Sequence, residues 1–209
     1  MEKTNKIKNA IVKQAIINLM LRYGLKEKNY SIDRKGRVKR LKITSKFTRR
    51  GKLTNIPVDI GKLIDLEKLD LSNNKINKIE NLENLTNLNK LILNGNNINK
   101  IEALGNLSQL EHFEIFNNPL DKEDLEISEF GAKTAVDYCL KKKEKKFEKL
   151  LSISDKLSFD TLQMLLKIDR ATLLNKIISL AEEYEIVIDG DNIIIDKYSA
   201  KDLVKLLSP

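Results

Sequence analysis

The sequence predicts an α/β solenoid whose short strands form one parallel concave sheet, closed by an N-terminal helical cap and followed by a small α+β domain. Three observations carry this. Between Leu66 and Leu120 the chain repeats itself without insertion. Leu66, Leu88 and Leu110 share one column, Leu69, Leu91 and Phe113 the next, and Leu71, Leu93 and Ile115 the third. Asn74, Asn96 and Asn118, then Ile76, Ile98 and Leu120, complete a fixed step of 22 residues. Within each repeat the apolar core alternates at period 2, so one short strand turns alternate side chains inward. From about Lys156 the pattern changes to two short amphipathic helices and a strand pair.

One repeat has a single apolar edge and nothing to bury it against, so only stacking closes the core and the ends need covers. An asparagine at the strand exit suits a side chain turned inward, where its amide can satisfy backbone groups of adjacent turns. The pattern LxxLxLxxNxI with this step resembles the leucine-rich-repeat family over roughly residues 37 to 126.

The chain has 209 residues, 41% hydrophobic and 33% charged, and lacks the run of about 18 apolar residues that a membrane span requires. The best signal-peptide candidate, Ala10 to Leu21, is interrupted by Lys13, Gln14 and Asn18, so a cytoplasmic protein is expected. One cysteine, Cys139, forms no internal disulfide and reads as a small buried hydrophobe. One histidine, His112, leaves no Cys/His metal cluster and no Ser/His/Asp or Cys/His catalytic set. No metal, cofactor or enzymatic activity is expected.

Charge is unevenly placed within the net +8. Residues 1–52 carry 17 Lys+Arg against 3 Asp+Glu, a net of +14, and the remainder carries a net of −6. Two readings stand: a block that meets nucleic acid or another acidic surface, or a solvated cap facing the acidic remainder of its own chain.

In chain order, residues 1–28 are assigned to a capping helix, with residues 5–24 helical and stopped by Gly24. Val12, Ile16, Leu19 and Tyr23 form its core stripe, while Ile11, Ile17 and Leu21 fall outside it. This second apolar side either meets a loop or the C-terminal region, or docks a partner or membrane surface. Residues 29–126 form the repeat domain. It opens with two alternating runs around a hairpin-like turn at Asp33 to Gly36, and Val38, Leu41 and Ile43 fill the columns of an irregular first repeat. Lys46 stands where the asparagine would fall, and Leu41 precedes Leu69 by 28 residues. The excess contains Phe47 to Gly51 with Arg49 and Arg50, and it reads either as a functional excursion or as an ordinary cap. The return, LTNIPVDIGKL, resembles the convex side of plant-type repeats.

Residues 127–152 form a connecting helix. EISEFGAKTAVDYCLKK resembles the helix that frequently follows such repeats, including before the GTPase module of Roco proteins, but no GxxxxGK[ST] occurs here. KKKEKKFEKL is a basic run anchored by Phe147, Leu150 and Leu151 and reads as a solvated face.

Residues 153–209 resemble a winged helix-turn-helix domain. Ser158 caps a helix carrying Phe159, Leu162, Leu165 and Leu166, and Asp169 caps a second with Leu173, Ile177 and Leu180 inward. Ile186–Ile188 and Ile193–Ile195 flank Asp189-Gly190 as the wing, and Ala200–Leu207 forms a last helix. Lys167 and Tyr184 depart from the glycines usual in that pattern. The second helix presents Arg170, Asn175, Lys176, Ser179, Glu182 and Glu183, nearly neutral, and the wing carries Asp189, Asp191 and Asp196. Carboxylates are repelled by phosphate, so this copy suits protein contact.

Strand alternation lists the outward face: Arg40, Lys42 and Thr44; Lys68, Asp70 and Ser72; Lys90, Ile92 and Asn94; His112, Glu114 and Phe116. Arg40, Lys68, Lys90 and His112 form a basic row at the roughly 5 Å strand spacing. Ile92 and Phe116 suggest an apolar anchor in a charged surround, the alternatives being cover by the C-terminal helix or singly exposed apolar residues. The expected function is a non-enzymatic adaptor that binds a protein partner on this face, with the winged helix as a second docking surface. The rival is a nucleic-acid-binding protein using the basic N-terminal block and the basic connecting helix. Partner identity and oligomeric state are not encoded legibly.

Overall fold

Residues 4, 6–7, 9–44, 51–151, 154, 156–166, 168–181 and 184–195 are described by the computed structural model. They fall into two compact units, Met1–Tyr138 and Cys139–Pro209. The regular sequence period reappears in the first unit as a ladder. Strands β1 (Tyr30–Ile32), β2 (Val38–Lys42), β3 (Lys68–Asp70), β4 (Lys90–Ile92) and β5 (His112–Glu114) lie in that order in one sheet. β1 pairs antiparallel with β2 as a hairpin, and the remaining pairs are parallel. Leu69 stands beside Leu91 and Leu91 beside Phe113, the 22-residue step made physical. This is a leucine-rich-repeat arrangement.

Stacking buries the strand columns almost completely: Leu66, Leu71, Leu88, Leu91 and Leu93 are fully inaccessible. A second set of columns, Ile79 with Ile101, Leu82 with Leu104 and Leu85 with Leu107, is buried on the return side of each turn at the same step. These side chains together form one continuous core along the stack.

The asparagines hold the turns to one another. Asn96 accepts the N–H of Ile76 at 3.0 Å and donates to the carbonyls of Leu71 and Leu93 at 3.1 and 2.8 Å. Asn74 accepts from Leu53 and donates to Ile43 and Leu71. Asn118 accepts from Ile98 and donates to Leu93 and Ile115. Each amide therefore satisfies backbone groups of its own turn and of the turn before, groups that would be costly to bury unpaired. The residues just before them, Asn73, Gly95 and Asn117, all have positive φ near 60°, a conformation that glycine and asparagine adopt at least cost.

Helix α1 spans Ala10–Tyr23, shorter than the expected 5–24. The Asn9 side chain accepts the N–H of Val12 at 3.1 Å and so fixes the start. Gly24, at φ 68°, donates to Met20 and ends the helix. Val12, Ala15, Ile16 and Leu19 are buried, with Asn18 donating to Asp59 at 3.1 Å, whereas Ile11 and Leu21 are exposed. Tyr23 is only half-buried. The Asp33 side chain accepts the N–H groups of Lys35 and Arg37 and sets the hairpin turn. Lys46 and Phe47 to Arg50 lie outside the described residues.

Where one connecting helix is expected over residues 127–152, the chain forms two helices, α2 (Lys122–Glu129) and α3 (Ala132–Leu151). The break falls at Phe130 and Gly131, where φ is 86° at Gly131. Asp121 caps α2 by accepting the N–H of Asp124 at 2.9 Å. Asp124 is itself fully buried and accepts the N–H of Ile101 at 3.0 Å, tying α2 to the last regular turn. Burial pushes the Tyr138 hydroxyl far above its ordinary value, and its hydrogen bonds to the Asp124 and Glu123 carboxylates reinforce the shift.

The second unit is built on a core of Phe147, Leu157, Phe159, Leu162, Leu166, Leu173, Ile177, Ile193 and their neighbours. Helices α4 (Phe159–Leu166) and α5 (Arg170–Leu180) pack beside a three-stranded antiparallel sheet in the order β6 (Lys156–Ser158), β8 (Asn192–Ile194), β7 (Val187–Asp189). Ser158 and Asp169 cap the two helices by accepting from Thr161 and Thr172. β6 extends the expected two-stranded wing by one strand, while Glu182, Glu183 and Ala200–Leu207 lie outside the described residues. Cys139 is buried.

Two substitutions probe the ladder. Asn96→Ala should destabilise the first unit by about 1 to 3 kcal/mol through unpaired buried backbone groups, and Leu91→Ala by about 2 to 5 kcal/mol through transfer loss and cavity formation. Thermal melts of both variants that coincide with the parent would refute the stacking account.

Candidate functional site

Parallel pairing carries the outward residues into rows across the sheet. Arg40 is beside Lys68, Lys68 beside Lys90 and Lys90 beside His112, while Lys42, Asp70, Ile92 and Glu114 form the next row. Thr44 does not join the outward set, because it is buried at 5% exposure. Arg40, Lys68, His112 and Phe116 are exposed, and Lys90, Asp70, Ile92, Asn94 and Glu114 are half-buried.

Much of the charge on this face is internally neutralised. Lys42 pairs with Asp70 at 2.6 Å and Lys90 with Glu114 at 2.8 Å. Burial works to raise the Asp70 carboxyl, but the Lys42 ammonium and the Ser72 hydroxyl and N–H outweigh it and hold it below its ordinary value. Lys90 lowers Glu114 in the same way against a smaller opposing effect of burial, assisted by the Asn94 amide at 3.0 Å. Arg40 and Lys68 have no acidic partner among the described residues. The basic row of four thus reduces to two adjacent unpaired cations at one end and His112 at the other.

Ile92 and Phe116 are not direct neighbours. Glu114 stands beside Ile92, and Phe116 lies two residues further along β5's course, with its N–H donating to Asn94 Oδ1 at 2.8 Å. Ile92 instead lines a cleft of about 310 Å³, and Phe116 projects at 64% exposure outside that lining.

The cleft is made by the hairpin and the turn before it. Asn29, in the 3-10 turn Glu27–Asn29, accepts the N–H of Lys26 at 2.9 Å and donates to the carbonyl of Lys42 at 3.2 Å, fastening the turn to the end of β2. Tyr30 is buried behind it with its hydroxyl 2.7 Å from Thr4 Oγ1. Lys28 and Ser31 line the cleft together with Arg40, Lys42, Lys68 and Lys90. Sequence reasoning listed the sheet residues but missed Lys28 and Ser31. The hairpin pairing of Ser31 with Arg40 is the signal from which their place beside the sheet could have been drawn.

In the second unit the side chains at the start of α5 are occupied. Arg170 pairs with Asp191 and lies 3.8 Å from Asp160, with its guanidinium 4.8 Å from the Phe159 ring centroid. Lys156 pairs with Asp189 on β7. Arg170 is thus engaged by carboxylates where a phosphate-reading cation would be offered. Among the described residues no group of His, Cys, Asp and Glu could hold a metal ion, and no helix is long and apolar enough to cross a membrane.

No protein-family model matches the chain, and no curated protein does. Among solved structures, a leucine-rich-repeat protein of Leptospira interrogans matches with 28% identity and a TM-score of 0.36, over 42% of this chain and 22% of that one. An internalin of Listeria monocytogenes matches with 34% identity and a TM-score of 0.38, over 43% of this chain and 25% of that one. The chain therefore spans a quarter or less of either neighbour's length.

The Asp70–Lys42 pair makes stability pH-dependent in a definite direction. The folded value of Asp70 lies below the unfolded one, so its contribution is complete above the unfolded carboxyl value of about 3.9 and is lost as pH falls through the folded value. Asp70→Asn should narrow its stability gap to the parent between about pH 5 and about pH 2. Urea midpoints that keep the same gap at both ends would contradict this assignment.

Proposed function

We propose that the chain is a non-enzymatic interaction protein that binds a protein partner on the outward, concave face of its repeat sheet. The observation that supports this most is the joint placement of Arg40, Lys68 and the half-buried Ile92 around one cleft, with Phe116 exposed further along the same face. Unpaired cations beside apolar contacts match the composition in which a few central residues dominate binding. Lys42, Asp70, Lys90, Glu114 and His112 complete the surround.

In this reading residues 1–28 cap the solenoid, 29–126 form the repeat domain, 127–152 the connecting helix, and 153–209 a winged-helix domain that acts as the adaptor's second docking surface. Exposed Ile178, Val187 and Ile188, together with the carboxylates around Arg170, favour protein over phosphate there. The nucleic-acid alternative keeps the basic N-terminal block and Lys141, Lys142, Lys145 and Lys146, which are exposed on α3. Ile92→Asp combined with Phe116→Asp should abolish partner capture while leaving the circular-dichroism melt nearly unchanged. Unfolding of that variant would place the pair in the core, and capture by the folded variant would move the binding face elsewhere.

The two readings also differ in salt response. Nucleic-acid affinity falls steeply with salt as phosphates are neutralised, whereas a mixed apolar protein contact does not. Fluorescence anisotropy should show no better than weak binding of the chain to generic duplex DNA at physiological salt. Sub-micromolar, sequence-selective binding would favour the alternative.

A further inference from the structure

We propose that the cleft beside the hairpin receives an acidic side chain of an extended partner segment, with an apolar residue of that segment seated at Ile92 and Phe116. The inference rests on the reading of the outward face as a protein-binding surface and specifies what the partner must present.

Five cationic side chains line the cleft, Lys28, Arg40, Lys42, Lys68 and Lys90, against one carboxylate, Asp70. Asp70 is engaged by Lys42, and Lys90 by Glu114 outside the lining. Arg40 and Lys68 are direct neighbours on parallel strands, about 5 Å apart at the backbone, and no carboxylate among the described residues balances them. Like charges held this close repel, and a carboxylate between them converts repulsion into two charge-assisted hydrogen bonds, with the Arg40 fork offering a bidentate one. The same cleft is bounded by Ile92, so the anion arrives beside an apolar surface.

This combination favours an acidic peptide over a nucleic acid. A phosphate backbone presents charge continuously, and beyond Lys68 it would follow Lys90, already paired with Glu114, and His112 with the Asp70 and Glu114 carboxylates in the adjacent row. A peptide can place one anion at the cleft and an uncharged, apolar side chain beyond it. The pairing order β2, β3, β4, β5 puts Ile92 and Phe116 two strands beyond Arg40 and Lys68 respectively, about 10 Å across the sheet before the offset along it is added. An extended chain advances about 3.3 Å per residue. The acidic and apolar residues should therefore stand about three to five positions apart.

A displayed library of random short peptides, selected on the full chain, tests this. Expected enrichment pairs Asp or Glu with Leu, Ile, Met or Phe at that spacing. In the Arg40→Glu, Lys68→Glu variant the acidic preference should disappear while the apolar preference remains. In Ile92→Asp, Phe116→Asp the apolar preference should be lost. A synthetic peptide of the enriched pattern should bind Arg40→Gln, Lys68→Gln, which removes charge without reversing it, at least about tenfold more weakly than the parent. Enrichment of apolar residues without an acid, or an acidic preference that survives both variants at Arg40 and Lys68, overturns the cleft assignment and leaves the binding face intact. No enrichment, or enrichment unaffected by any of these variants, overturns both. Displacement of the enriched peptide by a mixed-sequence single-stranded oligonucleotide at physiological salt overturns the peptide assignment in favour of a phosphate ligand.

Discussion

A buried amide cannot be left half-satisfied, and the arrangement of the first unit follows from that constraint. Each of Asn74, Asn96 and Asn118 closes an N–H of the preceding turn and carbonyls of both turns. Shifting one turn relative to the next would orphan these groups at about 1 to 3 kcal/mol each. The amides therefore fix relative register as well as adding stability. The apolar columns supply the larger driving force but specify position less sharply, because aliphatic contacts are non-directional.

Fixed register decides what the outward face looks like. With Leu69 held beside Leu91, Asp70 is held beside Ile92, and with Leu41 beside Leu69, Lys42 is held beside Asp70. The ion pairs Lys42–Asp70 and Lys90–Glu114 are thus by-products of stacking. Half-exposed pairs of this kind contribute little stability. Their consequence is selective: they neutralise two of the sheet's cations and leave Arg40 and Lys68 beside the hairpin cleft as the concentrated positive charge. The same ladder that builds the core determines which cations of the face keep no carboxylate partner among the described residues.

The repeat columns and the outward list were legible in the sequence because a constant step makes each repeat an independent witness of the same geometry. The inward role of the asparagines followed from their place at the strand exit. Other features depended on weaker or longer-range signals. β6, Lys156–Ser158, is only three residues long and exists because β8 offers it a partner. The break between α2 and α3 rests on a single glycine after exposed Phe130, within a stretch that otherwise reads as continuous helix. The start of α1 moved to Ala10 because Asn9 caps it. Lys90–Glu114 is diagonal across two strands, invisible to a row-by-row reading, and Lys28 meets Arg40's end of the sheet only after the hairpin folds. Thr44 turned inward where the regular alternation ends, at the exit of the irregular first repeat.

Native-state amide exchange at Leu53, Ile76 and Ile98 tests the ladder most directly, because these three N–H groups are held by side chains of the next turn rather than by the sheet. The account predicts that all three exchange only through opening of the stacked turns, with protection comparable to the buried amides of Leu71 and Leu93, which donate to the carbonyls of Ile92 and Glu114 on the next turn. Exchange of Ile76 at the rate of an exposed loop, while Leu71 and Leu93 stay protected, would show that the asparagines do not set the stack.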